Sequence, residues 1–305
     1  MPDKSTGRRV TPAPVPADEG IRDVRLRARK LLAEAEGVLR AIDPTWAPPP
    51  YDPWLIAQAL GIRCIEVQQE SFRGAMICVR AGAPVILYRR QKDEARTRFS
   101  LFHEIAHTLF PGFGSGPLPP GPGSPLLEPE GRLERLCDAA ALEMLIPEDH
   151  FRADLSRDGF GGDRVAELCR RYHAGMEAVA LRMVDSEEAP ACAVALVEQD
   201  RPSRWRRRQQ QPVWPPGASV PDFAISYAAY SARCREQGWF LARQLALPKT
   251  SCLRSAARSG KPAGGRESLA LLSGDLHNFR IEALPLTDRP RRKGRSAVLA
   301  FCYPE

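Results

Sequence analysis

Apolar residues recur at helical spacing through IRDVRLRARKLLAEAEGVLRAI, with Ile21, Val24, Leu31, Leu32 and Val38 as the expected contacts, so a helix is predicted over residues 21–42. The proline-rich WAPPPYDP ends it. In DPWLIAQALGI an Asp precedes a Pro and a Gly lies near the end, the punctuation of a short capped helix. RCIEVQQ, GAMICVR and APVILYRR are β-rich and separated by turn residues, which predicts a small sheet. Helical spacing returns in RFSLFHEIAHTLF and in GRLERLCDAAALEMLIPEDHF. The pair DRVAELCRRYHAG and MEAVALRMVDS then reads as a helix-turn-helix-like unit.

Residues 111–129, PGFGSGPLPPGPGSPLLEP, hold too much Gly and Pro for regular structure and predict an irregular loop. Residues 1–20, rich in Pro and polar side chains, cannot bury enough surface to offset ordering entropy and predict a disordered tail. Composition shifts near Ala189 to ACAVALVEQD, then to an Arg/Gln/Pro-rich segment ending at Pro221, then to mixed helix and strand closing on RSAVLAFCYP. The expected organisation is α+β: a tail at 1–20, a first domain at 21–147, a helical unit at 148–188 and a C-terminal α/β region at 189–305. No convincing internal repeat is found.

At 305 residues, two or three domains are expected, and 43% hydrophobic with 27% charged residues is the composition of a folded globular chain. No run of about 18 apolar residues is present and the first twenty residues have no apolar core for a secretory signal, so the expected location is the cytoplasm. The eight cysteines, at 64, 78, 137, 169, 192, 234, 252 and 302, form no CxxC pair. That argues against a zinc ribbon or a small disulfide framework and for buried thiols. The net charge of +7 is gathered in short runs, IRDVRLRARK, RWRRRQQQ and RPRRKGR, which read first as solvated surface and second as phosphate contacts.

The candidate chemistry lies in RFSLFHEIAHTLF. Positions four apart on a helix share one face, so His103 and His107 can aim at one metal ion while Glu104 reaches a water on its open side. Two core histidines on an apolar helix is the plain alternative. A catalytic zinc site normally holds three protein ligands, and the next helix offers Glu134 and Asp138, again four apart. Glu134 is assigned as third ligand, and Asp138 as the acceptor that orients a ligand histidine through its other ring N–H. A solvated acidic stripe interleaved with Arg132 and Arg135 is the competing reading of that pair, and Glu143 is the second candidate for the third ligand.

RFSLFHEIAHTLF followed by ERLCDAAALEMLIP resembles the ImmA/IrrE family of metallopeptidases, whose pattern is RF-x-L-x-HE-x-x-H and then E-x-x-A-N-x-F-A-x-x-L-L-M-P. DPWLIAQALGI and the strand segments resemble that family's lead-in, so the likeness covers roughly residues 45–185. It implies a zincin-like peptidase domain with His103, His107 and Glu134 as zinc ligands and Glu104 as general base. Zn²⁺ is the expected cofactor and Mn²⁺ the alternative. Cys137-Asp138 departs from the usual Ala-Asn, and the Pro/Gly-rich loop before Glu134 departs as well.

In such a site the metal lowers the pKa of a bound water toward about 7, and Glu104 takes its proton and passes it to the leaving nitrogen. Tyr172 and His173 are candidate oxyanion donors. The resemblance further implies a protein substrate, a helix-turn-helix transcriptional repressor of stress or mobile-element genes, and a sensor-like, partly GAF-like C-terminal region carrying NFRIEALPL and SAVLAFCYP. His277 and the cysteines there form no ligand constellation. The second functional class is a DNA-binding or ligand-sensing regulator with a vestigial peptidase site; few basic side chains gather on what would be its recognition helix. No membrane partner is expected.

Overall fold

Helix α1 (Ile21–Ile42) begins at Gly20, whose N–H donates to the Asp23 carboxylate at 3.3 Å. It buries Val24, Ala28, Leu32 and Ala35, a stripe at spacings that keep one face turned inward. Half of that stripe is alanine, and Ile21 and Val38, two of the expected contacts, are exposed. The expectation fails there because small residues carry the seam, and pattern counting weights large ones. In this computed structural model residues 20–69, 72, 74–80, 82–110, 129–199, 223–242, 247–286 and 296–305 are described. The predicted tail up to residue 19, most of the Gly/Pro loop at 111–128, the Arg/Gln/Pro segment with RWRRRQQQ, and RPRRKGR lie outside the described residues.

The fold is mixed α+β and divides into two compact units. The first runs to His150 and takes in Arg170–Ala174. Its second helix, α2 (Pro53–Ala59), is capped by Asp52, which accepts from the N–H groups of Trp54 and Leu55 at 2.8 and 3.3 Å. Gly61, at φ +72°, turns the chain into β1 (Arg63–Glu66). β2 (Ala75–Arg80) and β3 (Ala83–Tyr88) form a hairpin, and β1 adds parallel to β3, giving the order β1-β3-β2. Cys64 and Ile77 both stand opposite Ile86, so β2 is left at a sheet edge.

Helix α3 (Glu94–Ala106) packs on β2 and on α4 (Pro129–Leu145). Buried Arg98 ties α3 to the segment that precedes α2 by donating to the Tyr51 carbonyl. α3 ends at Ala106, and His107–Leu109 is a 3₁₀ turn whose Leu109 carbonyl accepts from Arg27 of α1 at 2.7 Å. The predicted helix through residue 110 is therefore α-helical only to 106. Likewise, the long helical run after residue 131 breaks at Ile146-Pro147, because proline lacks the donor that would continue it, and α5 (Glu148–Asp158) follows.

Between α1 and α4, Arg29 Nε donates to Glu143 Oε1 at 2.7 Å, and the same oxygen accepts the Glu148 N–H at 3.2 Å. Glu143 is fully buried, so its charge depends on these partners. Arg29→Ala is expected to destabilise the protein by about 1.5–3 kcal/mol, the range for a hydrogen bond to a charged group. Chemical denaturation checks this, and an unchanged midpoint would show the pair to be dispensable.

The second unit comprises Phe151–Cys169 and Gly175–Glu305. Helices α6 (Val165–Tyr172) and α7 (Met176–Asp185) are joined by a three-residue turn in which His173 has φ +48°. The division into units runs through the stretch 148–188 that the sequence set apart: residues 151–169 and 175–188 go with the C-terminal sheet, 170–174 with the first unit. That sheet is antiparallel, in the order β5 (Phe223–Tyr230), β4 (Ala193–Gln199), β8 (Ala297–Pro304), β7 (Leu276–Pro285), β6 (Ala263–Ala270). The central strand is buried from Ala297 to Tyr303, which explains its unbroken apolar run.

After β5 come a short helix α8 (Ala232–Glu236) and α9 (Cys252–Ser259). α9 packs on β6, β7 and β8, placing Leu253, Ala256 and Ala257 in one core with Val298, Ala300 and Cys302. On the alternate residues of β8, Phe301 and Tyr303 meet Phe160 edge-on at 6.1 and 6.3 Å. α7 lies against β4 and β5. His277 on β7 stacks on Trp239 with ring centroids 5.1 Å apart. All eight cysteines are free thiols.

Candidate metal centre

His103 and Glu104 sit in the last turn of α3, and His107 opens the 3₁₀ turn at φ −58°, ψ −26°, so it still follows the helical path. The two imidazoles meet with centroids 5.0 Å apart and planes at 74°. From α4, Glu134, Cys137 and Asp138 project at i, i+3 and i+4, the spacing of one helix face. His103 is held at both nitrogens: Nε2 lies 3.0 Å from Glu134 Oε2 and Nδ1 lies 2.8 Å from Asp138 Oδ1. His107 Nε2 stands 3.9 Å from Glu134 Oε1. Donor atoms of His103, His107 and Glu134 all fall within 4.8 Å of one another. Two imidazoles and one carboxylate are a donor set that suits zinc with a fourth position left open, so these residues could hold a divalent metal. The structure thus brings together the three groups the sequence named.

The electrostatics fit the geometry. Burial opposes a charge on His103, but hydrogen bonding to Asp138 and then to Glu134 outweighs it and raises its pKa to about 10. Glu134 is correspondingly lowered, first by its hydrogen bond with His103. His107 is pushed down to about 4, by burial and then by the neighbouring charge on His103. Glu104 is raised, chiefly by burial, against the pull of His103 and of a backbone hydrogen bond. That bond comes from Ile77 on β2, whose N–H donates to Glu104 Oε2 at 2.8 Å. The Cys137 thiol, buried and surrounded by the carboxylates of Glu134, Asp138 and Glu104, is pushed well above its ordinary value.

A pH dependence follows for the metal-free protein. Because the folded-state pKa of His103 is raised, its stabilising contribution is complete below the unfolded value near 6.5 and is lost as pH climbs toward about 10. Thermal unfolding of chelator-treated protein between those limits is expected to show a declining midpoint, and the decline should shrink in Asp138→Asn. A flat profile in the unaltered protein would contradict this account.

The remaining sequence candidates lie differently. Glu143, the second candidate for third ligand, is committed to Arg29 and the Glu148 N–H, because it leaves α4 on the side facing α1. Tyr172 is fully buried, and His173 is exposed in its turn. Sequence reasoning missed the Ile77 amide, which has no side-chain signal, and the contact of Cys137 Sγ with His107 Nδ1 at 3.4 Å. Only the second was open to detection, since Cys137 lies three residues after Glu134.

Against known proteins, the model for the IrrE N-terminal-like domain of the M78 peptidases matches residues 57–184, a span that includes both histidines, Glu104 and Glu134. No curated protein sequence matches the chain. Among solved structures, a Mycobacterium tuberculosis transcriptional regulator superposes with a TM-score of 0.53 over 93% of this chain and 76% of its own, at 12% identity. At that identity the likeness concerns the fold alone. Among the described residues no helix is long and apolar enough to cross a membrane. The sequence pattern and the family match thus fall on the same two helices, within a segment, residues 57–184, that is similar to the IrrE N-terminal-like domain of the M78 peptidases.

Proposed function

We propose that the protein is a zinc-dependent endopeptidase that cleaves a transcriptional regulator, with a helix-turn-helix repressor as the expected substrate class. The observation that carries this reading is the placement of the Glu104 carboxylate beside a convergent His103, His107 and Glu134 donor set. A divalent metal bound there would polarise a carbonyl and acidify a water. Glu104, raised by burial, is suited to accept that proton and return it to the leaving nitrogen. Asp138 fixes His103 through Nδ1, which leaves Nε2 and Glu134 to converge on the cation. Because Ile77 gives its N–H to Glu104, the outer edge of β2 faces the reacting groups, and an extended peptide added along that edge would bring its carbonyls to them. The fold likeness to a transcriptional regulator supports a regulatory setting.

The DNA-binding alternative finds less support. Arg182 is the one basic residue of α7 and it is buried, so that helix offers no exposed cation to a phosphate or a base edge. The test is direct. Purified protein, loaded with zinc or stripped by chelator, is incubated with helix-turn-helix repressors of its own organism, and products are read by mass spectrometry. Zinc-dependent appearance of two fragments is expected; an intact repressor with the zinc-loaded protein, together with salt-dependent DNA binding, would reverse the assignment.

A further inference from the structure

We propose that Cys137 is a positioning residue for His107: its sulfur accepts the Nδ1–H of that imidazole and so leaves Nε2 bare toward the cation. The inference rests on the reading of His103, His107 and Glu134 as metal ligands. Sγ lies 3.4 Å from Nδ1, and both side chains are buried, at 0% and 6% exposure. A ligating imidazole is neutral and has a single ring hydrogen with two places to sit. Placed on Nε2, that hydrogen would face Glu134 Oε1 at 3.9 Å, beyond hydrogen-bond reach, and would block the lone pair the metal needs. Placed on Nδ1, it meets the sulfur. The other histidine is oriented by a carboxylate on the same helix face, Asp138 at 2.8 Å from His103 Nδ1. Consecutive residues of α4 therefore serve the two rings in turn: Asp138 takes the first imidazole and Cys137 the second. The division also suits the charges, since a second carboxylate at position 137 would stand beside Glu134, Asp138 and Glu104, whereas a neutral thiol adds no repulsion.

The test reads the ring hydrogen itself. In metal-free protein with ¹⁵N-labelled histidine, two-bond correlation spectra report which nitrogen of His107 is protonated. Nδ1 is expected in the unaltered protein, with a shift toward Nε2 in Cys137→Ala. The Zn²⁺ dissociation constant, from competition with a chromophoric chelator, is expected to rise by about 10–100-fold in Cys137→Ala. Cys137→Ser, which keeps an acceptor, should return it to within about threefold of the original. Finding the hydrogen on Nε2 in the unaltered protein, or an unchanged zinc affinity in Cys137→Ala, would overturn the assignment. The spectrum of the unaltered protein needs no variant to fold. Absence of any Zn²⁺ binding by the unaltered protein would instead sink the metal-ligand reading, so the two failures are distinguishable.

Discussion

Glu104→Gln is expected to retain its metal and lose peptide hydrolysis by about 10²–10⁴-fold in kcat, the contribution of a positioned general base. The substitution is conservative where it needs to be. Glutamine keeps the side-chain length, and its carbonyl oxygen can still accept the Ile77 N–H that holds Glu104 at 2.8 Å. What it lacks is a site for the proton at ordinary pH. A loss in kcat with little change in KM would mark an interaction made mainly in the transition state. Metal content, measured on the same preparation, is expected to match that of the unaltered protein. Retained turnover would remove Glu104 from its assigned role, and lost metal would show that the carboxylate acts as a ligand.

Glu134→Ala is expected to weaken divalent-metal binding by more than the roughly 10–100-fold that changes outside the ligand set cost. Only two imidazoles would remain to converge, and His103 would lose the partner 3.0 Å from its Nε2. There is a second consequence. In the metal-free protein His103 carries hydrogen on both nitrogens, one toward Asp138 and one toward Glu134, so a cation taking Nε2 must displace a proton. Calorimetric titration in buffers of differing ionisation enthalpy should therefore detect proton release on zinc binding at neutral pH. Undiminished affinity in Glu134→Ala would place the third ligand elsewhere.

Much of this centre was legible in the sequence because both halves depend on helix periodicity. His103 with His107, and Glu134 with Asp138, are each four apart, and the structure sets the two pairs face to face. The small sheet and the Asp52 cap were equally readable, since alternation and capping are local. Other features depended on partners distant in the chain. Nothing local tells that Glu143 answers Arg29, 114 residues away, or that an edge-strand amide holds Glu104. Alanine seams hid the true inward stripe of α1. The order of the C-terminal sheet was not readable either, because β8 joins the sheet at its centre although it comes last in the chain.

The short 3₁₀ turn after Ala106 makes the first helix a remote keeper of the histidine pair. His107 lies past the last regular α-helical residue, and the guanidinium of Arg27, 82 positions upstream of Leu109, grips the far end of that turn while lying over the Phe110 ring at 5.8 Å. Arg27 thus anchors the end of the turn that carries His107 from a different helix. Sequence drift in α1 would thereby reach the candidate metal centre without altering any of its own residues.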